Sequence, residues 1–209
     1  MKAQTKETQD NYTPQSAIEA LMEGNKRFLK NEQVDHNLLQ QIKDTTSGQY
    51  PFAVVLSCID SRVPAEIIFD QGIGDIFSAR VAGNIVNEDL LGSIEYGCKV
   101  AGSKAVIVLG HTGCGAVKGA CDDVQLGNIT PLLSKIKPAV KAVALPTSAE
   151  ERTSANKKFV NEVVYKNVHM TIEEIKKQSP VLKEMQDAGE ITIVGAVYDV
   201  ASGAVDLLG

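Results

Sequence analysis

The stretch Phe52-Ala53-Val54-Val55-Leu56-Ser57-Cys58-Ile59-Asp60-Ser61-Arg62 decides the fold. Its first five residues form a continuous apolar run, the pattern of a short strand covered on both faces. The run ends in a polar loop. Three later segments also read as strands: 76–81, Ala105-Val106-Ile107-Val108-Leu109 and Ile191-Thr192-Ile193-Val194-Gly195-Ala196-Val197. Between them lie helical segments near 64–70, 88–101, 115–122, 130–144 and 152–177. Another helix follows Ser179-Pro180, up to Gly189. The Ala/Val/Lys-rich stretch 139–158 suits helix better than linker. Alternating strands and helices specify an α/β fold, with a mostly parallel central sheet of about four parallel strands flanked by helices. Residues 204–208 add an edge strand.

Upstream, Thr13-Pro14 opens a helix, because threonine caps well and proline suits the first helical turn. Ala17, Ile18, Leu21, Met22, Phe28 and Leu29 continue it as an apolar stripe. A second short helix includes Leu38, Leu39 and Ile42, and residues 44–50 form a polar loop. Residues 1–12 read as a flexible tail or a loosely docked arm, 13–209 as a single domain, and 13–45 within it as an N-terminal helical arm.

The 209 residues suit one domain and bury a sizeable core without disulfides. Hydrophobic residues at 44% and charged residues at 22% exclude a collagen or a wholly disordered chain. The 21 basic and 26 acidic residues give a net charge of −5. Without a long basic run, nucleic acid is excluded as a partner. No stretch reaches the ~20 apolar residues of a membrane-spanning helix, so no membrane partner is expected. Residues 1–11 lack the apolar core of a signal peptide. The chain therefore reads as cytoplasmic, unless a leader was removed upstream. Four irregularly spaced cysteines are no disulfide framework. In a reducing compartment they serve as metal ligands, catalysts or buried apolar groups.

Two loops carry the chemistry: 57–62 after the first strand, and Gly110-His111-Thr112-Gly113-Cys114-Gly115 after the third. In an open parallel sheet, ligands gather beyond the carboxyl ends of the strands. The loops can meet there although far apart in sequence. Cys58, His111 and Cys114 then offer two thiolates and an imidazole, a set that suits Zn2+, with the fourth tetrahedral position open to water. Glycines 110, 113 and 115 let the backbone turn around these ligands. A structural zinc site is the alternative, but such sites usually recruit a fourth Cys or His. Cys98 and Cys121 fall in helical segments and read as buried apolar residues. Asp60 either binds the metal itself or accepts a hydrogen bond from zinc-bound hydroxide. Arg62 can hold that carboxylate bidentately and keep it ionised. The glycine-rich stretch 110–119 matches neither phosphate-binding pattern, which disfavours a nucleotide-binding protein.

Taken together, these residues resemble the β-class carbonic anhydrases. The resemblance rests on Cys58-x-Asp60-x-Arg62, His111-x-x-Cys114-Gly115, Phe77-x-x-Arg80-x-Ala82-Gly83-Asn84 and Ser93-Ile94-Glu95-Tyr96. It extends to Gly24-Asn25-x-Arg27-Phe28 and Ile193-Val194-Gly195-Ala196-x-Tyr198-Asp199. It implies reversible hydration of carbon dioxide to bicarbonate and a proton, with one zinc ion per subunit on Cys58, His111 and Cys114. The attacking hydroxide would be oriented by the Asp60–Arg62 dyad. Gln49, Phe77, Ala82, Tyr96 and Gly115 match positions that bind substrate or line the pocket; Ala82 is smaller than the valine often found there. The resemblance also implies a homodimer with its pocket at the interface, N-terminal helices that reach the partner, and pairing of dimers into tetramers. Two thiolates offset the zinc charge, so activity is expected to rise toward alkaline pH. With no tryptophan in the chain, a bicarbonate site of the tryptophan-containing kind is not expected, and the site is expected to be open near neutral pH. Neither His36 nor His169 reads as a proton shuttle. The same residues leave two alternatives: a carbon disulfide or carbonyl sulfide hydrolase, and a non-catalytic zinc-stabilised scaffold.

Overall fold

A computed structural model describes residues 2–208. Three helices precede the sheet: α1 (Lys6–Asp10), α2 (Pro14–Lys30) and α3 (Leu38–Asp44). Strand β1 (Ala53–Ser57) leads through α4 (Ala65–Ile68) to β2 (Ile76–Arg80). Helix α5 (Glu88–Glu95) runs into a π-helical turn (Tyr96–Val100) and then β3 (Ala105–His111). Helices α6 (Gly115–Cys121), α7 (Ile129–Ser134), α8 (Lys137–Ala142), α9 (Lys157–Gln178) and α10 (Pro180–Asp187) lead to β4 (Thr192–Tyr198) and β5 (Val205–Leu208).

The strands form one sheet in the order β2-β1-β3-β4-β5. The first four are mutually parallel, and β5 joins antiparallel at the edge. Every residue of β1 and β3 is buried, as expected for strands covered on both faces. Side chains alternate between those faces. Val54, Leu56, Val106 and Val108 pack with Val163, Val164 and Val168 of α9. Ala53, Val55, Ile107 and Leu109 pack with Ala17, Ile18 and Leu21 of α2. The α/β architecture read from the sequence is the one observed.

Several local expectations are corrected. Residues 2–12 do not form a loose tail. Thr5 and Thr8 make a reciprocal capping box at α1, Gln9 is buried, and the Tyr12 ring stacks on Phe52 with centroids 4.5 Å apart. Met1 lies outside the described residues. The helix expected over 130–144 is two helices, because Pro138 occupies the first turn of α8 and would cost a continuous helix a hydrogen bond. Between α8 and α9, 143–156 is not helical apart from a short 3-10 turn at Ala149–Glu151. Arg152 fastens this loop, donating to the carbonyls of Val140, Val143 and Pro146. Its guanidinium also lies 4.6 Å from the Phe159 ring centroid. Asn156 then caps α9.

Helix α2 covers this chain's own sheet. Helix α3 instead leaves Leu38, Leu39 and Ile42 exposed by 53%, 75% and 52%.

Asp75, just before β2, is fully buried. Its Oδ2 accepts from the Gly72 N–H at 2.8 Å, while Oδ1 has no partner. Burial raises its pKa, against the Gly72 bond and the nearby His36. An acid with a raised folded-state pKa contributes full stability below its unfolded pKa of roughly 3.9, and loses it as pH rises through the window between the two values. Asp75→Asn should therefore gain stability relative to wild type between pH 4 and pH 8, read from melting temperatures across that range. A difference independent of pH would contradict this.

Candidate metal centre

Strands β1 and β3 are neighbours, but the chain leaves β1 toward β2 on one side and leaves β3 toward β4 on the other. Such a switch point opens a crevice at the carboxyl ends of the strands. Cys58 directly follows β1, and His111 is the last residue of β3. Pairing of Ser57 with Leu109 sets them side by side. Cys114 arrives three residues later as the N-cap of α6. Gly113 makes that turn at φ +67°, a conformation that favours glycine. Gly110 serves differently: a Cβ there would meet Val168 Cγ2 at 2.6 Å, so glycine lets α9 pack against β3.

The donor atoms of Cys58, His111 and Cys114 all lie within 4.8 Å of one another, and all three residues are buried. The two sulfurs are 3.9 Å apart. A tetrahedral zinc with bonds of ~2.3 Å to sulfur would place them about 3.8 Å apart. His111 Nδ1 lies 3.0 Å from the Thr112 carbonyl oxygen. That contact assigns the proton to Nδ1 and leaves the Nε2 lone pair free. Nε2 is buried with no hydrogen-bond partner, an arrangement that calls for an acceptor of its electron pair. The adjacent Cys114 sulfur draws the Cys58 pKa down, assisted by His111 and the Gly83 N–H, while burial opposes. Cys114 is pushed up by Cys58 and by burial. Two adjacent buried sulfurs hold both negative charges only beside a cation. The donor set therefore fits a tetrahedral ion with affinity for sulfur and nitrogen.

Asp60 faces this cluster, with Oδ2 3.9 Å from His111 Nε2. Arg62 grips the carboxylate with Nε on Oδ1 at 2.9 Å and Nη2 on Oδ2 at 2.8 Å. The Arg62 backbone N–H adds a third bond, to Oδ1, at 3.0 Å. These bonds hold Asp60 well below the usual carboxylate range. Of the two roles open to Asp60, the structure shows its carboxylate engaged by Arg62.

Other residues hold the frame. Arg80 donates to the carbonyls of Cys58 and Asp60 at 2.9 and 2.7 Å. The Gly83 N–H points to Cys58 Sγ at 3.4 Å, and Asn167 of α9 donates to the Gly83 carbonyl at 2.9 Å. Thr112 Oγ1 donates to Asp199 Oδ1 at 3.0 Å and accepts from the Val200 N–H. No motif or spacing in the sequence signals the roles of Asn167 and Thr112. Arg80 appeared only inside a motif, and its pairing opposite Ser57 explains its reach.

The remaining anticipated site residues divide into two groups. Ala82 and Gly115 adjoin Gly83 and Cys114, beside the cluster. Gln49, Phe77 and Tyr96 lie elsewhere. Gln49 and Tyr96 line one cavity of about 440 Å³ with Gly102, and Gly102 lies just ahead of β3. The Phe77 ring meets Tyr96 edge-on at 6.2 Å, and Phe77 pairs with Val54 near the start of β1. At ~3.3 Å per residue, the five residues of β1 separate the two ends of the sheet by about 17 Å. The structure thus sets these three residues at the amino end and the metal cluster at the carboxyl end.

A family model described as carbonic anhydrase matches residues 53–205, and the solved relatives identify the class. The chain belongs to the β-class carbonic anhydrases. Carbonic anhydrase 2 of Mycobacterium tuberculosis is 36% identical over 199 residues, covering 92% of each chain. The carbonic anhydrase of Mycolicibacterium smegmatis is 34% identical over 203 residues, covering 94% of each. The crystal structure of a β-carbonic anhydrase of Aspergillus fumigatus aligns with a TM-score of 0.71 at 25% identity, covering 93% of this chain and 89% of the other. The fold is also that of β-carbonic anhydrases from Sordaria macrospora, described as tetrameric, with a TM-score of 0.72 at 22% identity and coverage of 93% and 98%. In this β-class chain, Gln49 and α1 to α3 lie ahead of the segment the family model matches.

Gly83 has φ +72°, and a Cβ there would sit 2.5 Å from Ile136 Cδ1 and 3.3 Å from Ala116 Cβ. Gly83→Ala should lower stability by about 1–3 kcal/mol through backbone strain and overpacking. Denaturant unfolding checks this, and an unchanged midpoint would contradict it.

Proposed function

We propose that this protein catalyses the reversible hydration of carbon dioxide on a zinc ion held by Cys58, His111 and Cys114. The observation that carries the proposal is the buried, unpartnered His111 Nε2, set between two cysteines and faced by the Asp60 carboxylate. When bound, zinc would supply Lewis acidity that makes hydroxide available at far lower pH than in bulk water. This chain's residues do the rest. Arg62 keeps Asp60 ionised, so Asp60 can only accept a hydrogen bond, which orients the attacking oxygen toward substrate. Because Arg62 holds its carboxylate, Asp60 would not itself serve as a metal ligand. Ala82 and Gly115 contribute small apolar walls, suited to a small uncharged substrate. Four free cysteines agree with a reducing, cytoplasmic setting. No helix among the described residues is long and apolar enough to cross a membrane.

The split between the metal cluster and Gln49, Phe77 and Tyr96 supports a homodimer. In that assembly the amino-end residues of one copy complete the metal site of the other. The exposed apolar residues of α3 are available to cover its partner.

Stopped-flow hydration across pH 6 to 9, before and after chelation, tests the reaction. Activity should be zinc-dependent and rise toward alkaline pH, because the Cys58 and Cys114 thiolates offset the ion's charge. Asp60→Asn should lose about 10²-fold or more in kcat/KM with its metal retained. A zinc-loaded wild type without activity would defeat the reading.

Subunit complementation tests the shared site. Asp60→Asn and Gln49→Ala chains, each weak alone, are dissociated and reassembled in equal amounts. Half of the resulting dimers are mixed, and each mixed dimer has one of two sites intact, so activity should recover to about a quarter of wild type. No recovery would place Gln49 outside a shared site.

A further inference from the structure

Gln9 of α1 is 1% exposed and is the one buried residue of that helix. Its Nε2 donates to the Pro51 carbonyl at 2.8 Å and to the Ala101 carbonyl at 2.7 Å. Pro51 lies two residues after Gln49. Ala101 ends the π-helical turn that begins at Tyr96, and its N–H bonds the Tyr96 carbonyl at 2.9 Å. One buried amide therefore ties the segment carrying Gln49 to the segment carrying Tyr96. Ser103 stitches the same segments, with Oγ on the Pro51 carbonyl at 2.8 Å and its N–H on the Gly97 carbonyl at 3.0 Å. Gln9, Gln49, Tyr96 and Gly102 line the same cavity. Gly102 makes room for the amide: a Cβ there would sit 3.0 Å from Gln9 Oε1. π-Helical turns are rare, and they often mark functional sites.

We infer that Gln9 is a positioning residue, which sets the spacing between Gln49 and Tyr96 and thereby the substrate-facing surface they form. The inference rests on the reading under Proposed function that Gln49 and Tyr96 of one copy complete the metal site of the other, where they would face substrate. It gives α1, which lies outside the segment the family model matches, a part in activity. A bare structural peg would alter stability and leave turnover per folded, metal-loaded subunit unchanged.

Gln9→Met keeps the volume and removes both donors. Hydrogen–deuterium exchange in this variant should quicken over 46–51 and 96–103 while 105–111 stays protected. With metal content equal to wild type, kcat/KM for carbon dioxide should fall about tenfold, the scale of a small misplacement of binding groups. Placed in a Gln49→Ala background, the same change should cost little more, because Gln9 acts through Gln49. Unchanged exchange, undiminished kcat/KM, or a full tenfold loss persisting without Gln49 would each overturn the inference. If Gln9→Met fails to fold, Thr5→Ala loosens α1 from its exposed cap, and the same pattern should appear at smaller amplitude; its absence would be equally decisive. A wild type inactive toward carbon dioxide would defeat the substrate reading itself, whereas the exchange measurement separately decides whether Gln9 ties the two segments.

Discussion

The parallel pairing of β1 with β3 is the constraint on which the rest depends. It runs in register from Ala53 opposite Ala105 to Ser57 opposite Leu109, with both strands buried on both faces. A one-residue slip would exchange the two faces of a strand, moving Val54 and Leu56 away from α9 and Ala53 and Val55 away from α2. It would also shift Cys58 relative to His111. The burial that fixes the register thus fixes the metal cluster, and one hydrophobic driving force serves both ends.

Around that cluster the electrostatics are arranged by backbone as much as by side chain. Two buried sulfurs and a free imidazole nitrogen call for positive charge, the role a metal ion would fill. Arg62 engages the nearby carboxylate, and Arg80 engages the carbonyls of Cys58 and Asp60. Each guanidinium satisfies acceptors that would otherwise crowd an already electron-rich site. Behind them, Asn167 reaches from α9 to the Gly83 carbonyl, so the helix that covers the sheet also steadies the peptide pointing at Cys58.

The N-terminal region shows how one motif can serve packing. Asn25 donates to the carbonyls of Ile68 and Gly203 and accepts from the Val205 N–H. Arg27 pairs with the buried Asp70 at 2.6 Å, and Asp70 also takes a contact from His36 at 2.8 Å. A Cβ at Gly24 would fall 1.8 Å from the Phe69 carbonyl oxygen. The run Gly24-Asn25-x-Arg27 therefore clamps α2 to α4 and to the approach to β5. His36 has a packing role there, and the exposed His169 lies on the outer face of α9.

By itself the sequence determined the strands, above all β1 and β3, whose apolar runs have few other places to go, and most helix starts, where Thr13-Pro14 and Ser179-Pro180 cap as expected. It also determined the meeting of Cys58, His111 and Cys114, because parallel topology sends the loops after β1 and β3 to one edge. It left open whether residues 1–12 are a free tail or a docked arm, since one buried glutamine among polar residues leaves no periodic signal. Nor did it reveal the irregular 143–156 loop, which Arg152 holds through carbonyls scattered along the chain. Only the tertiary structure decided where Gln49, Phe77 and Tyr96 stand relative to the metal cluster. Spacing along a sequence carries no direction across a sheet, and the length of β1 places the two groups at opposite ends.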